Sequence, residues 1–212
     1  MDSVIKDMNP VLQMLTVMSL FSLLPFVFCC MTCFLRFTIV FSLLKTAMGV
    51  QVPPAIVTIG LCMILTFYTM GGVFQQMYDR GSIPYQKTGN LVVAIDEGSK
   101  PLKEFMMKQT RKNDLAFFIE LKHKTPPSSP DEISLWEVAP AYILSELKTA
   151  FEIGFVVFVP FIVLDLVVAN ILLALGMFML SPTIISLPFK LLIFIAVDGW
   201  ALIVQGLVQS YN

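Results

Sequence analysis

The feature that most constrains this chain is a long apolar stretch, residues 151–190, that nevertheless carries charged side chains. The stretch is long enough to cross a bilayer, since a helical span takes about 20 residues. It holds Glu152, Asp165 and Lys190. An ionisable group at membrane depth costs roughly 2.5–3.5 kcal/mol and usually faces a partner or water. The sequence therefore predicts that protein or water, and not lipid alone, surrounds this stretch.

Charged residues are scarce in the chain and unevenly distributed along it. Only 14% of the 212 residues are charged and 57% are hydrophobic, whereas about a quarter of the residues in soluble domains are charged. Residues 81–137 hold eight Lys or Arg and eight Asp or Glu. We therefore expect a membrane protein with N-terminal hydrophobic helices (1–80), a polar, partly helical soluble insert (81–137) and a C-terminal hydrophobic helical hairpin (138–212). The net charge of −1 gives no basic surface for nucleic acid.

The apolar runs predict an all-α fold. Helices are expected over residues 8–35, 37–44, 55–78, 99–112, 114–122, 141–176 and 184–208. Pro25, Pro160 and Pro188 interrupt apolar helices, and a membrane tolerates such breaks where protein or a cavity satisfies the backbone. Kinked helices of this kind favour a subunit of a larger helical assembly.

Turn and capping residues set the expected boundaries between these helices. Gly49, followed by the prolines at positions 53 and 54, predicts a turn, and three prolines predict a loop over residues 125–130. Ser99 is expected to cap the amphipathic helix of the polar insert. Ser134 and Glu137 have the spacing of a capping box at the start of the next helix.

The ionisable groups of the two apolar parts balance in sign. They are Arg36, Lys45, Lys148 and Lys190 against Glu146, Glu152, Asp165 and Asp198. Lys148 and Glu152 can pair on one helix face. For Lys190 the leading partners are Glu146 and Asp165, and for Arg36 they are Asp198 and Asp165. The alternative is that some of these groups lie at the membrane interface and extend their charges into water.

The cysteines raise a separate hypothesis. Cys29, Cys30 and Cys33, with Met177 and Met179, are the soft ligands that Cu(I) prefers. The alternative is that they are ordinary apolar residues of membrane helices. The one histidine, His123, lies in the polar insert, so no Ser-His-Asp set forms in the apolar parts, and no phosphate-binding loop is present. The sequence therefore predicts no catalysis, no cofactor and no metal site, with a small-molecule or soft-metal transporter as the alternative.

The segment Gly176–Pro182 also has two interpretations. It is either an apolar turn packed between helices or, in an oligomer, a deformable apolar ring around a pore. Flexible Met and Phe side chains in such a ring block ions by excluding water and still yield to a passing chain.

Several runs of residues in order resemble one family over nearly the whole chain. They are LRFTIVFSLL (35–44), AMGVQVPP (47–54), LSELKTAFEIGF (144–155), PFIVLDLVVANILLALGM (160–177), ISLPFKLLIF (185–194) and VDGWALIVQGLVQSY (197–211). They resemble the export-gate subunit shared by flagellar and virulence type III secretion systems, the FliP/SctR family.

The resemblance implies a non-enzymatic subunit of an export apparatus in the bacterial inner membrane. Kinked helical hairpins of five copies would assemble, with two smaller partner subunits, into a tapered, pseudo-helical oligomeric export gate. Much of that assembly would lie on the periplasmic side, and unfolded substrate proteins would pass through its pore. Flagellar members often carry an N-terminal signal sequence, and this chain starts close to its first helix, which favours a virulence system.

The resemblance also implies roles for individual residues. Met177, Phe178 and Met179 would form the pore gasket, although Phe178 departs from the three consecutive methionines common in the family. Glu146 and Lys190 fall at positions of an inter-subunit salt bridge.

Overall fold

The computed structural model describes residues 10–89, 91–122 and 133–211, and these residues form helices with no strand. The helices are α1 (Pro10–Met31), α2 (Phe34–Met48), α3 (Ala55–Thr88), α4 (Leu91–Gln109), α5 (Lys112–Lys122), α6 (Leu135–Ala174), α7 (Pro182–Ala196) and α8 (Gly199–Gln209). The predicted all-α class is confirmed. His123 and the predicted loop at 125–130 lie outside the described residues.

Two of these helices, α3 and α6, are long and apolar enough to cross a membrane. The number rises to as many as four if each of two bent helix pairs, α1 with α2 and α7 with α8, forms one span. The described part of the chain therefore has the apolar helices of a membrane protein, as its composition predicted.

The last predicted helix is in fact two helices, so its prediction as a single element was wrong. The chain bends by 63° between α7 and α8, and Asp198 at the bend has a left-handed backbone with φ 51°. Gly199 follows, and a Cβ atom there would lie 2.3 Å from Cε2 of Phe194. The buried Phe194 ring thus fills the place of a side chain, which is why the break comes at this glycine.

The boundary between α3 and α4 also differs from the prediction. α3 continues ten residues beyond Tyr78, and α4 begins at Leu91, so Ser99 lies inside α4 and is not its cap. The turn instead falls at Gly89, whose φ is 64°. Polar residues from Asp79 onward indicate exposure to water, but a helix can continue with its surface exposed, so polarity did not end α3.

The start of α6 confirms the predicted capping box. The Ser134 N–H donates to Glu137 Oε2 at 3.0 Å, and the Trp136 N–H donates to Ser134 Oγ at 3.4 Å. These bonds satisfy N–H groups that a helix start leaves without partners.

The chain divides into two compact units. The first comprises Met1–Leu35 with Thr66–Glu146, and the second comprises Arg36–Leu65 with Leu147–Asn212. In the first unit, α3 and α4 approach closely: a Cβ on Gly98 would lie 3.5 Å from the Gly81 Cα. In the second unit, an aromatic cluster packs Phe194 against Trp200 at 5.4 Å and against Phe161 at 6.4 Å between ring centroids.

We expect Gly199→Ala to lower the stability of the second unit. The new methyl group would overlap the Phe194 ring, which its aromatic neighbours hold in place. Overpacking of this kind costs about 1–3 kcal/mol. The measurement is the thermal unfolding midpoint in detergent. The control is Gly206→Ala on the same helix, where a Cβ meets nothing within 4 Å. Equal midpoints for the two variants would show that the close packing at Gly199 does not determine the stability of the second unit.

Candidate functional site

The hairpin of α6 and α7 carries the candidate site at its tip. α6 ends at Ala174, and Gly176 in the turn that follows has a left-handed φ of 73°. The Gly176 N–H donates to the Leu173 carbonyl at 3.0 Å, and the Met177 N–H donates to the Leu172 carbonyl at 2.9 Å. This pair of bonds is a Schellman motif, which satisfies the last carbonyls of a helix and turns the chain away from its axis. The direction in which the tip leaves α6 is therefore set by the backbone.

The tip consists of four consecutive large apolar residues, all exposed. They are Met177, Phe178, Met179 and Leu180. Phe178 is 76% exposed and Met179 is 100% exposed. Within the described part of this chain, no other side chain fully covers this apolar run, which makes it a candidate contact surface. Within one chain these side chains are not packed between helices, and both interpretations of the segment stay predictions.

An ion pair with a buried lysine joins the two helices of the hairpin. Lys190 of α7 is only 2% exposed, and its Nζ lies 2.7 Å from Asp165 Oδ2 of α6. Asp165 was one of two leading partners considered for Lys190. A buried ammonium group requires such partners because burial removes it from water.

Lys190 also binds the end of α2. Its Nζ donates to the Ala47 carbonyl at 3.0 Å. α2 ends in a second Schellman motif, in which the Gly49 N–H donates to the Thr46 carbonyl at 3.1 Å and the Val50 N–H donates to the Lys45 carbonyl at 3.3 Å. The Ala47 carbonyl takes no part in that motif, and the ammonium group of Lys190 binds it at the negative end of the helix.

Ser186 completes this cluster. It lies one helical turn before Lys190 on α7 and is fully buried. Its Oγ donates to Asp165 Oδ1, while Lys190 binds Oδ2, so the two carboxylate oxygens have separate donors. We name the side chains of Asp165, Ser186 and Lys190 the hairpin clamp.

The other predicted charge-pair residues lie elsewhere. Arg36 of α2 is buried and donates from Nη1 to Ser210 Oγ at 2.8 Å, and its guanidinium carbon lies 3.8 Å from the ring centroid of Tyr211. Arg36 thus fixes the C-terminal end of the second unit. Glu146 is fully buried and belongs to the first unit.

Two members of the cluster were not predicted from the sequence. Ser186 is a small polar residue in an apolar helix, and only its four-residue spacing from Lys190 signals a shared face. The Ala47 carbonyl belongs to the backbone, so no side-chain pattern reveals it.

The cysteine hypothesis gains no support from the geometry. In the part of the chain that the structure describes, no three His, Cys, Asp or Glu side chains are grouped as a metal site would require. Cys33 Sγ instead lies 4.0 Å from the Thr66 carbonyl.

A helical chain with apolar candidate spans, a buried charged clamp and an exposed apolar tip has the features of a membrane-protein subunit that contacts other chains.

Comparison with known proteins gives the family. Residues 17–207 match the FliP family. The chain is 45% identical to flagellar biosynthetic protein FliP of Pectobacterium carotovorum, over 94% of this chain and 78% of that one. It is 42% identical to flagellar biosynthetic protein FliP of Bacillus subtilis, over 97% and 94%. It is 41% identical to Yop proteins translocation protein R of Yersinia pestis, over 95% and 96%.

The chain therefore belongs to the FliP family and is a component of a type III protein export apparatus. Its relatives include both flagellar and Yop translocation proteins, as the resemblance implied. The predicted family is confirmed.

We expect Lys190→Met to destabilise the second unit. It leaves the Asp165 carboxylate and the Ala47 carbonyl without their cationic donor. Breaking a fully buried pair costs about 3–5 kcal/mol, and we expect roughly 2–3 kcal/mol here because the Asp165 side chain is 34% exposed.

The measurement for Lys190→Met is again the unfolding midpoint in detergent, with Lys148→Met as the control because Lys148 is exposed. The double variant with Asp165→Asn should recover part of the loss, since it removes the partly buried charge that Lys190 neutralised. A loss no larger than that of the control would contradict a stabilising role for the pair.

Proposed function

We propose that the chain is the pore-forming subunit of a type III export gate, through which unfolded proteins cross the bacterial inner membrane. The observation that carries this proposal is the exposed apolar tip, Met177–Leu180, on a hairpin whose two helices are clamped together. A pore that must stop ions and still pass a polypeptide requires a deformable apolar constriction. Side chains of Met and Phe provide it when copies of the tip meet around one axis.

Three further parts of the proposal rest on the resemblance of the sequence. The gate contains five copies of the chain and two smaller partner subunits, and much of it lies on the periplasmic side of the membrane. It has no enzymatic activity and no cofactor. The division into residues 1–80, 81–137 and 138–212 follows polarity and stays a prediction.

The charge pair between Lys190 of one copy and Glu146 of the next also stays a prediction. Within one chain the Lys190 ammonium group binds Asp165. Glu146 of a neighbouring copy would therefore share the ammonium group with that carboxylate, or replace it, when copies assemble. A soft-metal transporter is not supported by any specific observation, and we do not propose it.

We expect the combined substitution of Met177, Phe178 and Met179 by alanine to make the gate leak. Shorter side chains cannot fill the constriction, so water and ions would enter it. The measurement is the uptake of ions and small solutes by cells that express the assembled gate.

The matched control for this leak is Phe178→Met, which keeps a large apolar side chain and restores three consecutive methionines. We expect it to retain the seal. If the triple variant takes up no more ions or small solutes than the unmodified protein and secretes normally, the gasket proposal is wrong.

A charge exchange separates the two possible partners of Lys190. We expect Lys190→Glu to reduce the amount of oligomer on native gels. If the pair between copies forms, adding Glu146→Lys should restore oligomer. If the pair with Asp165 matters more, adding Asp165→Lys should restore it instead. Failure of the Glu146 exchange, with the Lys190→Glu variant expressed normally, would rule out that pair.

A further inference from the structure

The hydroxyl group of Ser186 has two acceptors within reach. One is Asp165 Oδ1 on α6, and the other is the Thr183 carbonyl of its own helix, at 3.1 Å. A serine hydroxyl has one proton and donates it to one acceptor at a time. The carboxylate is the stronger acceptor because a hydrogen bond to an ionised group is about twice as strong as a neutral one. The hydrogen bond to Asp165 is therefore the stronger one, and the bond to the Thr183 carbonyl is within reach as an alternative.

The geometry of the carboxylate shows what the hydroxyl contributes. Lys190 and Ser186 lie four residues apart on α7, so they face Asp165 side by side. An ammonium group is a compact charge that fixes the distance to a carboxylate but not its rotation. The hydroxyl bond to the second oxygen fixes the rotation as well. Together the two donors hold Asp165, and with it α6, in one position against α7.

We propose that Ser186 is a positioning residue that latches the hairpin and so holds the Met177–Leu180 tip in the closed gate. This inference rests on the proposed function. When the hydroxyl donates to Asp165, the hairpin is held at both carboxylate oxygens. When it donates to the Thr183 carbonyl, Asp165 keeps only Lys190 and is able to rotate, and the tip gains freedom to move aside.

The second acceptor, the Thr183 carbonyl, allows the Ser186 hydroxyl to release Asp165 and still make a hydrogen bond. Ser186 is fully buried, and a buried hydroxyl that lost its partner would be strongly unfavourable. Serine in a helix commonly donates to a carbonyl three or four residues earlier, and the Thr183 carbonyl is in that place. The released state therefore leaves no buried hydroxyl unsatisfied. The hydroxyl exchanges a carboxylate acceptor for a carbonyl acceptor, and Asp165 Oδ1 loses one donor, so the difference is small enough for a passing substrate to shift the balance.

The test is Ser186→Ala, with the ion leak of cells that express the assembled gate as the readout. We expect the leak of the resting gate to rise by about tenfold, the factor that corresponds to the loss of one hydrogen bond to a charged group. The matched control is Ser181→Ala in the same hairpin, because Ser181 makes no side-chain capping bond to α7. We expect the control to leak no more than the unmodified protein.

Two further variants separate positioning from general stabilisation. If Ser186 acts through Asp165, the double variant Ser186→Ala with Asp165→Asn leaks no more than Asp165→Asn alone. Additive leaks would overturn the proposal. If Ser186→Ala fails to assemble, Ser186→Cys keeps nearly the same size with a weaker donor, and we expect an intermediate leak. A wild-type leak in an assembled Ser186→Cys gate would then overturn the latch.

The triple alanine variant of the tip distinguishes this inference from the function on which it rests. A leaking tip variant with a tight Ser186→Ala gate would reject the latch and keep the export pore. A tip variant that stays tight would reject the gasket, and the latch with it.

Discussion

The second compact unit depends on the sharing of one buried positive charge. The ammonium group of Lys190 binds both the carboxylate of Asp165 and the Ala47 carbonyl at the end of α2. It thereby joins three helices whose apolar contacts are not directional. Hydrogen bonds to a charged group have defined distances and directions, so they can select one arrangement of these helices among many similar ones.

This arrangement explains how a chain of membrane-like composition tolerates charges in its apolar parts. Arg36 shows the same solution as Lys190: its guanidinium group is buried, bonded to Ser210 and stacked on Tyr211. In both cases the charge binds an element that is distant in the sequence. The buried charges therefore specify which helices meet, while the apolar surface of α6 and α7 remains for lipid or for other subunits.

The sequence predicted the existence of most helices because apolar runs of this length have few other structures available in a membrane. It predicted that Asp165, among apolar neighbours, needs a partner or water, and it gave two candidate partners for Lys190. It did not predict the break before Gly199, because that break depends on where the Phe194 ring lies in three dimensions. Nor did it predict that α3 continues to Thr88 and turns at Gly89, since polar residues indicate contact with water and not the end of a helix. The Ala47 carbonyl is a backbone group, which a pattern of side chains cannot reveal.

The Schellman motif at Gly176 has a consequence for how the tip can vary. The hydrogen bonds that orient the start of the tip come from main-chain atoms, and the left-handed backbone of one glycine sets its direction. The side chains of the tip are therefore not needed to set its position. Their size and chemistry can change between related chains without moving the point at which they are presented. In the proposed gasket, Phe178 would then change the chemistry of the constriction and not its location.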